Sequence, residues 1–166
     1  MLKVQKLDPR AKLPTVGHAG EDLGFDVFAL EDTVLPLGVA VAVPTGISAR
    51  YELEQDRKSK FGLLIKDRSS MAAKGIKTSA GVVDAGYTGE LKVIMTNTND
   101  QHRYEAGRSG YGDHWSIRSK QGYLVKAGDK VAQMLPTEVF TAGSIIEVED
   151  LGQTSRGLGG FGSTGI

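Results

Sequence analysis

Apolar residues recur along this chain in short runs rather than in long helical stripes: Val39 to Val43 (VAVAV), Leu63 to Ile65, Leu91 to Met95 (LKVIM), Val131 to Leu135 and Ile145 to Val148. Runs of this length, rich in branched aliphatic side chains, predict strands. Turn chemistry separates them, at Leu35-Pro36-Leu37-Gly38, Pro44-Thr45-Gly46, Ala85-Gly86 and Ala127-Gly128, and 22 glycines speak against a helical protein. The pattern predicts an all-β antiparallel sandwich or barrel. One helical signal interrupts it, Ser69-Ser70-Met71-Ala72-Ala73-Lys74-Gly75, a turn or two long, with a serine to cap the start and Gly75 for a left-handed end. The stretches 101–121 and 153–166 have no steady periodicity and cannot hold a packed core on their own.

A chain of 166 residues has room for one domain and its core. Twenty basic residues balance twenty acidic ones, so no net field steers the chain to nucleic acid or an anionic membrane, and any anion site has to be built locally. The absence of cysteine removes disulfides, thiolate nucleophiles and cysteine-based zinc sites. No apolar run approaches the roughly 20 residues of a membrane span. These features predict a soluble, cytoplasmic protein that binds neither nucleic acid nor membrane. His18, His102 and His114 lack metal-ligand spacing and are expected at the surface.

Three segments carry candidate chemistry. The tail from Arg156 to Gly165 combines a fixed positive charge, many backbone amides, the hydroxyls of Ser163 and Thr164 and one ring, Phe161. These are the parts of a phosphate cradle with a stacking lid, although a solvated linker has a similar glycine content. Arg68-Ser69-Ser70 before the short helix is a second anion-binding candidate, competing with the simpler reading of a capped helix beside a solvated arginine. Gly81-Val82-Val83-Asp84-Ala85-Gly86-Tyr87-Thr88-Gly89-Glu90 predicts a hairpin with Asp84 at its tip. Such an aspartate ordinarily bonds its own backbone; at a site it can act as general base toward water, with Tyr87 as a flat wall.

Taken in order, five segments resemble the five motifs of the trimeric dUTPase family: Gly24-Phe25-Asp26-Val27-Phe28-Ala29, Arg68 to Gly75, Gly81 to Glu90, Lys126-Ala127-Gly128-Asp129-Lys130-Val131-Ala132-Gln133, and Arg156 to Gly165. The first motif has a competitor in Ala19-Gly20-Glu21-Asp22-Leu23, so Asp22 and Asp26 both stand as its aspartate; the Leu35-Pro36 landmark downstream favours Asp26. The resemblance implies a jelly-roll-like homotrimer, with residues 1–152 as the β domain and 153–166 as an arm closing over a neighbour's nucleotide. It implies hydrolysis of dUTP to dUMP and pyrophosphate with Mg2+, which keeps uracil out of DNA and supplies dUMP.

The same resemblance assigns roles. Asp84 is the base for water attacking the α-phosphorus, and Tyr87 packs against C2′ and excludes a ribose hydroxyl. Arg68, Ser69, Ser70 and Gln133 hold the phosphate chain, Arg156, Gly162, Ser163 and Thr164 cover its end, and Phe161 stacks on uracil. Asp26 touches the metal through water, the ion itself resting on triphosphate oxygens.

Departures from the family pattern are local. Asp67 stands before Arg68 where many members have proline, and is expected to orient it. Thr78 replaces an asparagine that reads uracil in several members, which shifts base reading to the backbone of the hairpin, at Gly81 and Val83. Residues 101–121 form an insert, either a solvated loop or, through Arg103, Tyr104, Arg108, Tyr111 and Trp115, a docking arm for a protein partner. A dCTP deaminase shares the fold and the Arg-Ser-Ser motif, but it carries a glutamate ten residues after the aspartate, where this chain has Ile94. A nucleotide-responsive switch that uses the insert is the other alternative.

Overall fold

A computed structural model describes residues 1–52, 60–99, 122–139, 145–150, 152–153 and 155. The expected insert at 101–121 and the arm from Arg156 onward, with Phe161, Gly162, Ser163 and Thr164, lie outside the described residues. Eleven strands and one short helix follow in order: β1 (Leu2–Lys6), β2 (Phe25–Phe28), β3 (Thr33–Leu35), β4 (Ala40–Pro44), β5 (Ile47–Tyr51), β6 (Lys60–Asp67), α1 (Ser69–Ala72), β7 (Ile76–Ser79), β8 (Val82–Val83), β9 (Lys92–Asn97), β10 (Tyr123–Val125) and β11 (Lys130–Val139). Every strand ladder is antiparallel, as the alternation predicts.

The strands form four small sheets, β1-β5, β10-β3, β2-β11-β6-β8 and β4-β9-β7. Their inner faces meet over one core that includes Val27, Leu35, Val43, Ile76, Met95, Val125, Val131 and Met134, all at most 1 % exposed. Each such side chain contributes about 2 kcal/mol by leaving water. Of the four buried polar residues among those described, Asp26, Thr45, Ser48 and Asn97, two lie deepest and are bonded there. Thr45 donates its hydroxyl to the Leu91 carbonyl, and Asn97 donates to Leu35 O while its own oxygen accepts from Asn99 Nδ2 at 2.7 Å. Without those partners each would carry a desolvation cost of about 1–3 kcal/mol.

Two expectations fail here. Ile145 to Val148 form no strand among the described residues, and Ile145 is 97 % exposed. The apolar alternation is present, but no described sheet edge pairs with it. The Gly81–Glu90 segment is not a hairpin either: β8 pairs with β6, whereas the chain after the turn runs into β9, which pairs with β4 and β7. The two ends join different sheets, so Gly81–Glu90 is a loop that bridges them. No helix among the described residues is long and apolar enough to cross a membrane.

Candidate active site

The four-stranded sheet fixes the first cluster through its register. In β11, Gln133 lies opposite Asp26 of β2, and Ala132 lies opposite Asp67 at the end of β6, so Arg68 leaves the sheet beside the same point. A bulge between Lys130 and Ala132 inserts one residue into β11. Val131 and Ala132 are consecutive and both fully buried, which rephases the strand so that Lys130 and Gln133, three apart, share the face of Asp26. Gly24 makes room for the glutamine: a Cβ there would come within 3.2 Å of Gln133 Cβ.

Asp26 is the inner member of this cluster. Its Oδ1 accepts from Arg68 Nε at 2.9 Å and its Oδ2 meets Lys130 Nζ at 2.7 Å. The side chains of Asp26, Arg68 and Lys130 are 9 %, 25 % and 42 % exposed, so the two cations reach outward while the carboxylate stays beneath them. One negative charge against two positive leaves a net positive surface, suited to an anion. Arg68 Nη1 adds longer bonds to Ser70 Oγ at 3.3 Å and Lys130 O at 3.4 Å. Asp22, the other candidate for the first motif, sits in an exposed turn where its carboxylate takes the His18 amide at 2.9 Å.

The helix α1 starts differently from expectation. Arg68 occupies the capping position with extended backbone and no side-chain cap, so neither serine caps the turn; both are exposed, with Ser70 facing the Arg68 guanidinium. Gly75 does close the turn with φ of +67°, as predicted. Asp67 does not orient Arg68. Its Oδ1 accepts from both the amide and the hydroxyl of Thr78, each at 2.6 Å, and the orienting carboxylate is Asp26 instead.

The loop that carries Asp84 is held at several points. Gly81 O accepts from Ile65 N at 2.7 Å, and a Cβ on Gly81 would lie 2.4 Å from Ile65 O, so only glycine fits against β6. Ala80, just before it, holds a left-handed φ of +54°, an uncommon conformation for a residue with a side chain. Past the exposed Asp84, a tight turn closes by Tyr87 N to Asp84 O at 3.0 Å, and Tyr87 donates its hydroxyl to Glu90 O at 2.9 Å. Ser48 Oγ bonds Thr88 O, and the Gly46 amide bonds Glu90 Oε1. Asp84 and the ring of Tyr87 are thus presented to solvent from an anchored backbone, with Val83 half-buried on β8.

The sequence-predicted residues fall into two groups. Asp26, Arg68, Ser70 and Gln133 converge, whereas Gly81, Val83, Asp84 and Tyr87 belong to the anchored loop, and no hydrogen bond among the described residues joins the groups directly. Sequence reasoning missed Lys130 as a partner of Asp26, because simple alternation puts it on the opposite face from Gln133. The adjacent buried pair Val131-Ala132 is the signal for the bulge. Among the described residues no group of three or more His, Cys, Asp or Glu side chains could hold a metal ion.

The dUTPase family profile matches residues 10–109. The deoxyuridine 5′-triphosphate nucleotidohydrolase of Paramecium bursaria Chlorella virus 1 is 37% identical over 168 residues, covering 99% of this chain and 98% of that one. The chain belongs to the dUTPase family. It is therefore an enzyme of the dUTP diphosphatase class. Solved dUTPases agree in fold. The Staphylococcus bacteriophage 80alpha dUTPase with dUPNHPP superposes with a TM-score of 0.79 at 23% identity, covering 100% of this chain and 99% of that one. A mutant dUTPase of Staphylococcus aureus phage phi11, solved with a structural Mg(II) ion, gives 0.70 at 24% identity, covering 91% and 98%. Among the described residues, the antiparallel strands and the one short helix are thus those of the dUTPase fold.

Proposed function

We propose that this dUTPase-family chain hydrolyses dUTP to dUMP and pyrophosphate by attack of an Asp84-activated water on the α-phosphorus. The new bond forms between water oxygen and the α-phosphorus, the bond from that phosphorus to the α–β bridging oxygen breaks, Asp84 takes the proton, and pyrophosphate departs. The observation that carries this reading is the pairing of an outward positive cluster, Arg68 and Lys130 over Asp26, with an exposed carboxylate on an immobilised loop. Repulsion slows attack on a polyanion, so preset cations and amides lower the barrier most, and a placed base adds about 10² to 10⁴-fold.

Arg68, Ser69, Ser70 and Gln133 bind the phosphate chain, Tyr87 excludes a 2′-hydroxyl by its ring, and the backbone at Gly81 and Val83 meets the base. Arg156, Gly162, Ser163 and Thr164 close over the terminal phosphate, and Phe161 stacks on uracil. Membership of the dUTPase family supports a homotrimer in which each site combines residues of different copies. Residues 101–121 are a candidate docking arm for a protein partner. Placement in the cytoplasm fits the lack of cysteine.

Magnesium would be carried on the triphosphate oxygens, beside a cluster in which Asp26 is the carboxylate and Arg68 and Lys130 are the cations. Asp26, with its oxygens against Arg68 and Lys130, would serve such an ion through a water. When bound, the ion neutralises charge on the phosphate oxygens.

The test is pyrophosphate release from dUTP, dCTP, dTTP and UTP with magnesium, for wild type and Asp84→Asn. Release from dUTP alone, lost by about 10² to 10⁴-fold in the variant, is expected. Tight dUTP binding without turnover in wild type replaces this reading with a nucleotide-responsive switch.

A further inference from the structure

Lys66 has no part in the roles above. It lies on β6, where its neighbour Ile65 turns into the core at 7 % exposure and Lys66 itself turns out to solvent. The register decides what it stands beside. Gln133 of β11 pairs with Asp26 of β2 on one side and with Lys66 on the other, and directly paired residues of antiparallel strands share a face. Asp26, Gln133 and Lys66 therefore form one row across the sheet, with neighbouring Cβ atoms about 5 Å apart. Arg68 follows Lys66 by two residues with extended backbone, which puts it on the same face, and its 2.9 Å bond to Asp26 agrees. The cations of this face differ in their partners. Arg68 and Lys130 both meet Asp26, whereas Lys66 enters no ion pair among the described residues, where the paired lysines are Lys3, Lys92 and Lys130. Its charge stands uncompensated, across the Gln133 side chain from the cluster.

We propose that Lys66 is a third cation of the phosphate site, which meets the triphosphate on the far side of Gln133 from Arg68 and Lys130 and makes this face selective for an extended polyphosphate over a single phosphate. The proposal rests on the reading of this face as the phosphate site, and adds to it a residue and a source of chain-length selectivity. A single phosphate group reaches one end of the row only. A chain of three, with negative oxygens on every phosphorus, runs from the Arg68 and Lys130 end past the glutamine to Lys66, where it gains one more charge-assisted contact. Because Lys66 is exposed, that contact weakens as salt is added.

The test measures affinity for inorganic tripolyphosphate and for orthophosphate by calorimetry, and KM and kcat for dUTP by pyrophosphate release. The proteins are full-length wild type, Lys66→Ala, Lys66→Glu and Lys66→Arg, with the thermal midpoint of each. Lys66→Ala is expected to weaken tripolyphosphate by about tenfold while orthophosphate stays within about threefold, and to raise KM for dUTP by about tenfold with kcat steady. Lys66→Glu goes further in the same direction, Lys66→Arg stays within about threefold of wild type, and the Lys66→Ala effect shrinks at high salt. The side chain is exposed, so the midpoints of all four should coincide and a loss of fold does not enter the comparison. Tripolyphosphate affinity or KM unmoved in both Lys66→Ala and Lys66→Glu, or tripolyphosphate and orthophosphate weakened equally, overturns the inference: Lys66 is then a solvated lysine outside the site. Wild type that binds no tripolyphosphate overturns it as well. Wild type that binds tripolyphosphate with this dependence on Lys66 but turns over no dUTP overturns the proposed hydrolysis and leaves the polyphosphate row standing.

Discussion

Arg68 meets Asp26 through Nε, at 2.9 Å, while its Nη1 turns to Ser70 Oγ and Lys130 O. This side-on contact leaves the far end of the guanidinium pointing away from its own carboxylate, toward whatever the cluster binds. Asp26 is thus an orienting group beneath two cations. Asp26→Asn keeps the shape and removes the charge, leaving Arg68 and Lys130 beside each other uncompensated. The expected loss is about 1–3 kcal/mol, read as a lower urea midpoint, with KM for dUTP raised. Asp22→Asn, in its exposed turn, should leave both nearly unchanged. An equal loss in the two variants would remove Asp26 from its assigned place.

Gly81→Ala tests the anchoring of the loop that carries Asp84. The new Cβ would lie 2.4 Å from Ile65 O, a backbone atom of β6 that cannot swing aside. A destabilisation of about 1–3 kcal/mol is expected, with turnover falling further than stability because Asp84 shifts with the strand. Wild-type turnover in a folded Gly81→Ala enzyme would show that the close approach is dispensable.

Tyr87 separates its ring from its hydroxyl. The hydroxyl is spent on Glu90 O, so Tyr87→Phe should hydrolyse dUTP and UTP in nearly the wild-type ratio. Tyr87→Ala opens the wall and should raise UTP relative to dUTP by about tenfold or more. Relative rates from product chromatography decide this.

Metal removal should act on turnover and not on the fold. With no carboxylate or histidine cage among the described residues, a chelator is expected to abolish dUTP hydrolysis while leaving the thermal midpoint of the nucleotide-free protein in place. A midpoint that drops on chelation would point to a structural ion.

Much of this was legible in the sequence. The apolar runs at Val39 to Val43, Leu63 to Ile65, Leu91 to Met95 and Val131 to Leu135 overlap β4, β6, β9 and β11, because strand formation there follows local burial. Ile145 to Val148 has the same local pattern and no described partner, and pairing is not a local property. The pairing of Asp84's loop was hidden for the same reason: Val82-Val83 reads as half a hairpin, but its neighbour in space is β6. Asp67 and Thr78, eleven residues apart, meet because the chain after α1 returns as β7, in another sheet, past the end of β6.

One acid-sensitive contact is the Asp8–Arg10 pair. Hydrogen bonds from the Arg10 side chain and amide hold its carboxyl below the ordinary value of 3.8. A depressed folded value means the pair's contribution is complete above the ordinary value and fades as pH falls through the folded one. The pair is fully exposed, so stability between pH 5 and 8 should not depend on it. Titration of the Asp8 carboxyl by NMR should give a midpoint below 3.8; one at or above it would deny the bond in solution.

The bulge in β11 makes the positive cluster depend on a count of residues more than on their identity. Removing Val131 or Ala132 would leave an equally apolar strand able to keep its ladder with β6, yet it would turn Lys130 to the other side of the sheet from Gln133. A lineage that lost that one residue could keep a folded protein and lose its grip on anions, so among relatives the spacing from lysine to glutamine should be held more strictly than the two side chains between them.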